Sequence, residues 1–459
     1  MIGMRLLALV PLAALTAAAG PQDLQTRLRA IVAAPSGVPG CAVAVTRDGK
    51  VLAALASGAA DIDKGLPNTP DTQFYAASVS KQFTAMAVVQ LVAAGKIGLD
   101  ENVRRYLPEL PDYGRPITVR MLLHHMAGIV DDVNLAILEG QLNPDAARRA
   151  DSLAMLFRQK ATRFTPGTRF EYSNGGYLLL SEIVERVSKE PFEDYVAGHI
   201  LKPLGMTRSF MMRDVRGPYL DRARGYRMRD GQAGLSDRYP SIGGSGGLIT
   251  TVNDLAKWDH DIDSAHIIWS PTVTRLMLDE GRFANGAPVM RRGHSFSYGA
   301  GLAIGPHWIQ HTGSANGFAT IYARHPASRT GIILLCNDGG IDIMAKAEAV
   351  SALLDPKLPP IDEPEINPHP LDGTYRNENI AAAWDVATAG DTLTLTIRPP
   401  APGAAPAQLT LTRTPEGDYR YTGLLLSPDD DSDGFSVSFG LVSYHFTRSG
   451  RGAGHGGVG

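Results

Sequence analysis

The apolar positions change period several times along the chain, and each change marks an element. Leu24, Leu28, Ile31 and Val32 share one face of a 3.6-residue repeat, which predicts an amphipathic helix over Asp23–Ala33. Gly40–Thr46 and Val51–Ser57 are strand-like, and Arg47-Asp48-Gly49-Lys50 between them supplies the residues of a hairpin turn. From about Val79 to Ala94 the chain is strongly apolar, as in a buried helix. Residues 95–290 alternate helical patches with loops rich in Gly, Pro and Asp, and Thr251 with Asp254 sets a capping-box start for a helix through Leu255 and Trp258. Three closely spaced strand candidates follow, His307–His311, Phe318–His325 and Thr330–Asn337, and then an amphipathic helix over Ile341–Leu354. Six prolines in Asp355–Pro370 predict a stiff linker. Beyond it, alternation in Trp384–Thr388, Thr392–Ile397, Gln408–Thr412, Tyr419–Leu426 and Phe435–Thr447 predicts a small all-β domain.

At 459 residues the chain is too long for one compact core. The expected division is a leader over 1–19, a main domain over 20–355, a linker over 356–370, a β domain over 371–448 and a disordered Gly-rich tail over 449–459. Met1–Arg5 is basic, Leu6–Ala18 is apolar but too short to span a bilayer, and Ala17-Ala18-Ala19 fits a cleavage site. This pattern reads as a signal peptide, so a periplasmic or secreted protein without a membrane span is expected. A net charge of −3 leaves no basic surface for nucleic acid. Cys41 and Cys336 are too few for a zinc site, and both lie in strand-like runs. Two buried thiols are the simpler reading, although export would permit a disulfide.

Three short segments carry candidate chemistry. Ser78-Val79-Ser80-Lys81 opens the apolar helix, and its three-residue spacing stacks Ser78 and Lys81 on one face. A serine hydroxyl needs a base to become a nucleophile, and a lysine in an apolar pocket has the lowered pKa to act as one. In Tyr172-Ser173-Asn174, a phenol beside a cation can shuttle protons and an amide can hold both a lysine and a substrate carbonyl, while Ser173 is expected to point away. In His311-Thr312-Gly313-Ser314, the glycine lets a substrate backbone approach a strand edge and Thr312 can donate to it. Taken alone, each segment also fits ordinary structure: an N-cap serine with a surface lysine, an Asn-Gly-Gly turn, and a hairpin turn with a capping histidine.

In this order the three resemble the Ser-x-x-Lys, Tyr-x-Asn and Lys-Thr-Gly boxes of the serine β-lactamase and penicillin-binding-protein superfamily. The Tyr-x-Asn form is similar to the branch of class C β-lactamases, D-aminopeptidases, D-Ala-D-Ala carboxypeptidases and related esterases. Ile117–Gly128, Pro203-Leu204-Gly205-Met206-Thr207 and Gly243–Leu248 also resemble recurrent stretches of that family, and the likeness covers about residues 25–355. It implies an α+β fold: a β-lactamase/transpeptidase-like sandwich of an antiparallel sheet flanked by helices, beside an all-helical lobe, with the site between them. The sheet would join Gly40–Ser57 to the strands after His307, with first and last strands adjacent and Cys41 near Cys336.

The resemblance further implies that Ser78 is acylated, that Lys81 and Tyr172 share proton transfer, and that Asn174 holds Lys81 and the acyl side. The N–H groups of Ser78 and Ser314 would form the oxyanion hole. Which of Lys81 and Tyr172 is the base stays open. His311 departs from the usual lysine, and a mostly neutral imidazole suits a substrate carboxylate poorly. The pattern therefore looks like D-aminopeptidases and some esterases, and Leu371-Asp372-Gly373-Thr374-Tyr375 resembles the start of lipocalin-like domains that follow such cores. The expected function is a serine hydrolase of D-amino-acid peptides or amides, needing no metal or cofactor. An esterase or weak β-lactamase with the same machinery is the alternative, and a non-hydrolytic cell-wall or β-lactam sensor is the alternative of another class. The substrate is a small peptide, amide or ester; the oligomeric state stays open. His124 and His125 point to different faces and make a poor metal pair, with His125 expected as a buried hydrogen-bonder. Asp429–Gly434 reads as a solvated turn in preference to a calcium loop, because position twelve would be Gly440.

Overall fold

The structure is a computed structural model. It describes residues 21–449 apart from 139–147, 214–221, 238–242, 285, 290–295, 316, 362–370, 378–379, 401–402, 404, 415–417, 422–423, 429–433 and 440–441. The leader, the Asp429–Gly434 turn before Gly434 and the tail beyond Ser449 lie outside the described residues, as does most of the proline-rich linker.

A seven-stranded antiparallel sheet forms the centre of the larger part. Its strands are β1 (Cys41–Arg47), β2 (Lys50–Ser57), β3 (Ser297–Tyr298), β4 (Ala303–Ile304), β5 (Ile309–Ala315), β6 (Phe318–His325) and β7 (Thr330–Cys336), in the order β3-β4-β5-β6-β7-β1-β2. The β1–β2 hairpin turns where the sequence predicts it: Asp48 (φ 51°) and Gly49 (φ 69°) are both left-handed, as a tight two-residue turn requires. The adjacency of first and last strands is also present, with Cys41 directly opposite Cys336 and the two joined as a disulfide. The open choice between free thiols and a bridge is thereby resolved.

Strands buried on both faces read as continuous apolar runs, and β1 shows why. Val43 and Val45 pack with Leu28 of helix α1 (Pro21–Ile31), with Val32 just after it, and with Ala347 and Val350 of a C-terminal helix, Ile343–Leu354. Ala42 and Ala44 face the other way, where their small side chains admit Phe83 and Trp258. Phe83 belongs to α2 (Lys81–Ala93) and Trp258 to the helix Val252–His260, whose start is capped by Thr251 Oγ1 accepting from the Asp254 N–H at 3.0 Å. Buried Asp259 at the end of that helix accepts from Thr46 Oγ1 (2.5 Å), Tyr322 Oη (2.8 Å) and Arg324 Nη1 (2.9 Å), which fixes the helix on β1 and β6.

Strand boundaries differ from expectation at several points. The third chemical segment lies within β5 and not after it, because residues 311–315 pair with β6 across their whole length. Polar Thr312 and Ser314 break the apolar alternation without breaking the backbone ladder. In the C-terminal part, Tyr419–Leu426 and Phe435–Thr447 each divide into two strands. The result is a closed eight-stranded barrel running from Gly373–Asn377 to Val442–Arg448. Its core stacks Trp384 on Phe446, with ring centroids 4.1 Å apart. Ahead of the barrel, Pro359 and Ile361 of the linker rest on the larger part, where the Pro359 carbonyl accepts from Trp308 Nε1 at 2.9 Å. Among the described residues no helix is long and apolar enough to cross a membrane.

Candidate active site

Ser78 sits in a single 3-10 turn, Ala77–Ser80, that leads directly into α2. Ala77 is left-handed (φ 48°), an uncommon state for a residue with a Cβ and one that needs support from its surroundings. Ser80 provides it: its hydroxyl donates to the Ala77 carbonyl (2.6 Å) and accepts from the Leu248 N–H (3.0 Å). Ser78 is left half-buried at the surface of a cleft while its neighbours Ala77 and Val79 are buried.

Lys81, one turn further, is fully buried. Its Nζ lies 3.3 Å from Ser78 Oγ, 2.8 Å from Asn174 Oδ1 and 2.8 Å from the Ser245 carbonyl, and donates to all three as an ammonium. Burial lowers its pKa from 10.5 to about 7, with the charges of Asp131 and Asp132 pulling it back up. The neutral amine is therefore well populated near neutral pH, and its geometry is constrained. The Asn174 and Ser245 oxygens can only accept, so they take both N–H bonds of an uncharged amine and leave its lone pair facing the Ser78 hydroxyl.

Tyr172 and Asn174 come from the start of α3 (Asn174–Ser188), whose N-cap is Ser173, with Oγ accepting from the Gly176 N–H at 3.2 Å. Ser173 thus turns away from the site, as the sequence implies, and delivers its neighbours to it. The Tyr172 ring lies 4.7 Å from Lys81 Nζ and 4.4 Å from the His125 ring. His125 is the buried hydrogen-bonder expected: Nδ1 accepts from the Ser173 N–H at 3.1 Å. Burial, reinforced by Lys81 and His311, holds its pKa well below the usual value, so the ring is neutral.

The opposite wall is β5. Strand β4 pairs with it only at Ile309 and Gln310, so His311–Ala315 have no β4 partner along that edge. Gly313 is required there by contact: a Cβ would run into the Ala76 carbonyl and the Thr320 hydroxyl, both beside the Ser78 turn. His311 Nδ1 lies 2.6 Å from the Thr312 carbonyl and Nε2 lies 2.8 Å from Tyr298 Oη. A carbonyl only accepts, so Nδ1 donates to Thr312, while Nε2 is paired with the Tyr298 hydroxyl.

These walls enclose a cleft of roughly 670 Å³. Ser78, Tyr172, Asn174, His311, Thr312 and Ser314 line it, and Lys81 and Gly313 stand behind them. Arg169, Glu171 and Tyr298 also line it, as does Asp418 from the barrel. Among the described residues no His, Cys, Asp or Glu cluster could hold a metal ion. Sequence reasoning missed Asp131, Ser245, Tyr298 and Asp418. Only Ser245 had a signal, lying inside the Gly243–Leu248 stretch.

A helix-flanked antiparallel sheet, a serine and lysine one turn apart, and a Tyr-x-Asn segment facing a His-x-Gly strand define an active-serine protein of the β-lactamase and penicillin-binding-protein superfamily. The chain belongs to the beta-lactamase family, whose model matches residues 28–354. It is 27% identical over 350 residues to a D-aminopeptidase of Cereibacter sphaeroides, a match covering 75% of this chain but only 66% of that protein. Among solved structures, an octameric penicillin-binding protein homologue from Pyrococcus abyssi aligns over 93% of this chain and 99% of its own, at 26% identity and a TM-score of 0.64. A D-amino acid amidase from Ochrobactrum anthropi aligns over 72% of this chain and 98% of its own, at 25% identity and a TM-score of 0.60.

Proposed function

We propose that the protein is a serine hydrolase that acylates Ser78 with D-amino-acid-containing peptides or amides. The observation that carries the reading is buried Lys81, with Nζ 3.3 Å from Ser78 Oγ and held by the Asn174 and Ser245 oxygens. In the first step neutral Lys81 takes the Ser78 hydroxyl proton while Oγ attacks the substrate carbonyl. The N–H groups of Ser78 and Ser314 receive the oxyanion. The proton then passes to the leaving amine, with Tyr172, in contact with Lys81, as the relay. Water repeats the sequence on the acyl-enzyme and regenerates Ser78.

Two features of the cleft support an amine-bearing substrate. His311 stands where a lysine would supply a permanent cation for a carboxylate. Glu171, paired with Arg163 Nε at 2.8 Å, and Asp418 place carboxylates among the lining residues beside the Arg169 cation, so the wall carries both signs and can meet a free ammonium group. The similarity to a D-aminopeptidase and a D-amino acid amidase supports the same class. We also propose export, with Met1–Ala19 removed, to which the Cys41–Cys336 disulfide lends support because such bonds persist in oxidising compartments. A panel of D- and L-aminoacyl amides, p-nitrophenyl esters and nitrocefin tests the substrate. Preference for D-aminoacyl amides, lost in Ser78→Ala, supports the proposal; ester turnover without amide turnover overturns it.

A further inference from the structure

The aim of Lys81 depends on which end of the Asn174 amide faces it. The amide is nearly symmetric in shape, and a half-turn would exchange Oδ1 for Nδ2. A donor would then meet Lys81, and the neutral amine would turn its lone pair away from Ser78. Asp131 prevents the exchange. Its Oδ2 accepts from Asn174 Nδ2 at 2.9 Å and from the Asn174 backbone N–H at 2.8 Å. A carboxylate only accepts, so Nδ2 must face Asp131 and Oδ1 must face Lys81. The second oxygen, Oδ1, accepts from the Asn134 N–H at 2.9 Å at the start of the helix Asp132–Leu138, so both ends of the carboxylate are held. Asp131 is half-buried and is not among the side chains lining the cleft.

We propose that Asp131 is a positioning residue for the Ser78–Lys81 pair, fixing the Asn174 amide so that neutral Lys81 directs its lone pair at Ser78. This rests on acylation of Ser78 and not on the substrate class. The charged and titratable groups around Lys81 are Asp131 and Asp132 from the start of one helix, Tyr172 and Tyr177 from another, and His125. Of the two aspartates, only Asp131 hydrogen-bonds Asn174 in the described geometry.

The test is the rate of covalent labelling of the full-length protein by a fluorophosphonate between pH 5.5 and 9.5. The variants are Asp131→Ser, Asn174→Ala and the double variant. Serine can still cap the helix at Asn134, so Asp131→Ser separates the amide contact from the cap. It should slow plateau labelling at least about tenfold. It should also move the acidic midpoint to lower pH, because loss of the Asp131 charge lowers the Lys81 pKa. In the Asn174→Ala background it should change the plateau less than about twofold, since the two act in series. A wild-type plateau and midpoint, or losses that multiply in the double variant, overturn the proposal. If Asp131→Ser melts far below wild type, Asp131→Gly, which removes the acceptor but is tolerated at an N-cap, decides by the same cycle. Equal labelling of wild type and Ser78→Ala refutes the nucleophile itself, a separate failure.

Discussion

Replacing Lys81 by methionine should remove a pH dependence of stability along with activity. The folded protein releases the Lys81 proton near pH 7, whereas an unfolded chain holds it until about pH 10.5. Between those values the unfolded state binds more protons, so this group makes the protein more stable as pH rises. Below pH 7 its full penalty is present. The gap between 10.5 and about 7, at about 1.4 kcal/mol for each pKa unit, amounts to about 5 kcal/mol, an upper figure. Methionine has similar length and no charge to bury. It also leaves the Asn174 oxygen and the Ser245 carbonyl without their Lys81 donor, at about 1–3 kcal/mol each, but that loss is the same at every pH. The informative quantity is therefore the difference between variant and parent across pH. Asp132, raised by burial to about 7 and held down by the Lys81 charge, titrates at the lower end of this window, so Lys81→Met is compared with its parent in an Asp132→Asn background, where that second titration is absent. Urea unfolding at pH 7 and pH 10 measures the difference: the variant should gain several kcal/mol on its parent at pH 7 relative to pH 10. A difference that stays flat refutes the buried, depressed lysine, and with it the reason for a neutral base at Lys81.

Gly313→Ala should cost about 1–3 kcal/mol by urea unfolding and slow Ser78 labelling more than about tenfold, because the new methyl forces β5 away from the Ser78 turn. His311→Lys should lower the KM for nitrocefin severalfold while leaving an uncharged p-nitrophenyl ester little changed, since the gain is one partly screened charge pair. Exchange of Cys41 and Cys336 for alanine should lower stability by about 2–5 kcal/mol; reduced wild type should unfold at the same denaturant concentration as that variant.

The sequence exposed what local spacing encodes. Ser78 with Lys81, Tyr172 with Asn174, and the His-Thr-Gly run are each contiguous or one helical turn apart, so residue type and interval already state their geometry. Val43 and Val45 marked a strand for the same reason. Asp131 could not be read this way, because its meaning is a contact with Asn174 forty-three residues away. Ser245 contributes a main-chain carbonyl, which no residue identity announces. Tyr298 matters through its hydrogen bond with His311, and Asp418 through a barrel that reaches the cleft; both depend on how separate elements meet. The strand through His311–Ala315 was hidden because its partner β6, and not its own alternation, holds it extended.

The pairing of β1 with β7 also bears on when the protein can assemble. The two cysteines at the start of β1 and the end of β7 are 295 residues apart in sequence. A growing chain has made α1, the β1–β2 hairpin and the Ser78 helix long before it makes β7, the strand that joins the hairpin to the rest of the sheet. The β1–β2 hairpin alone is too small to be stable in water. Contacts of such long range form late and slowly. The nucleophile turn meets its opposing wall, at Gly313, only in the last stretch of synthesis of this unit. The catalytic unit is therefore assembled as a whole only after its last strand is made.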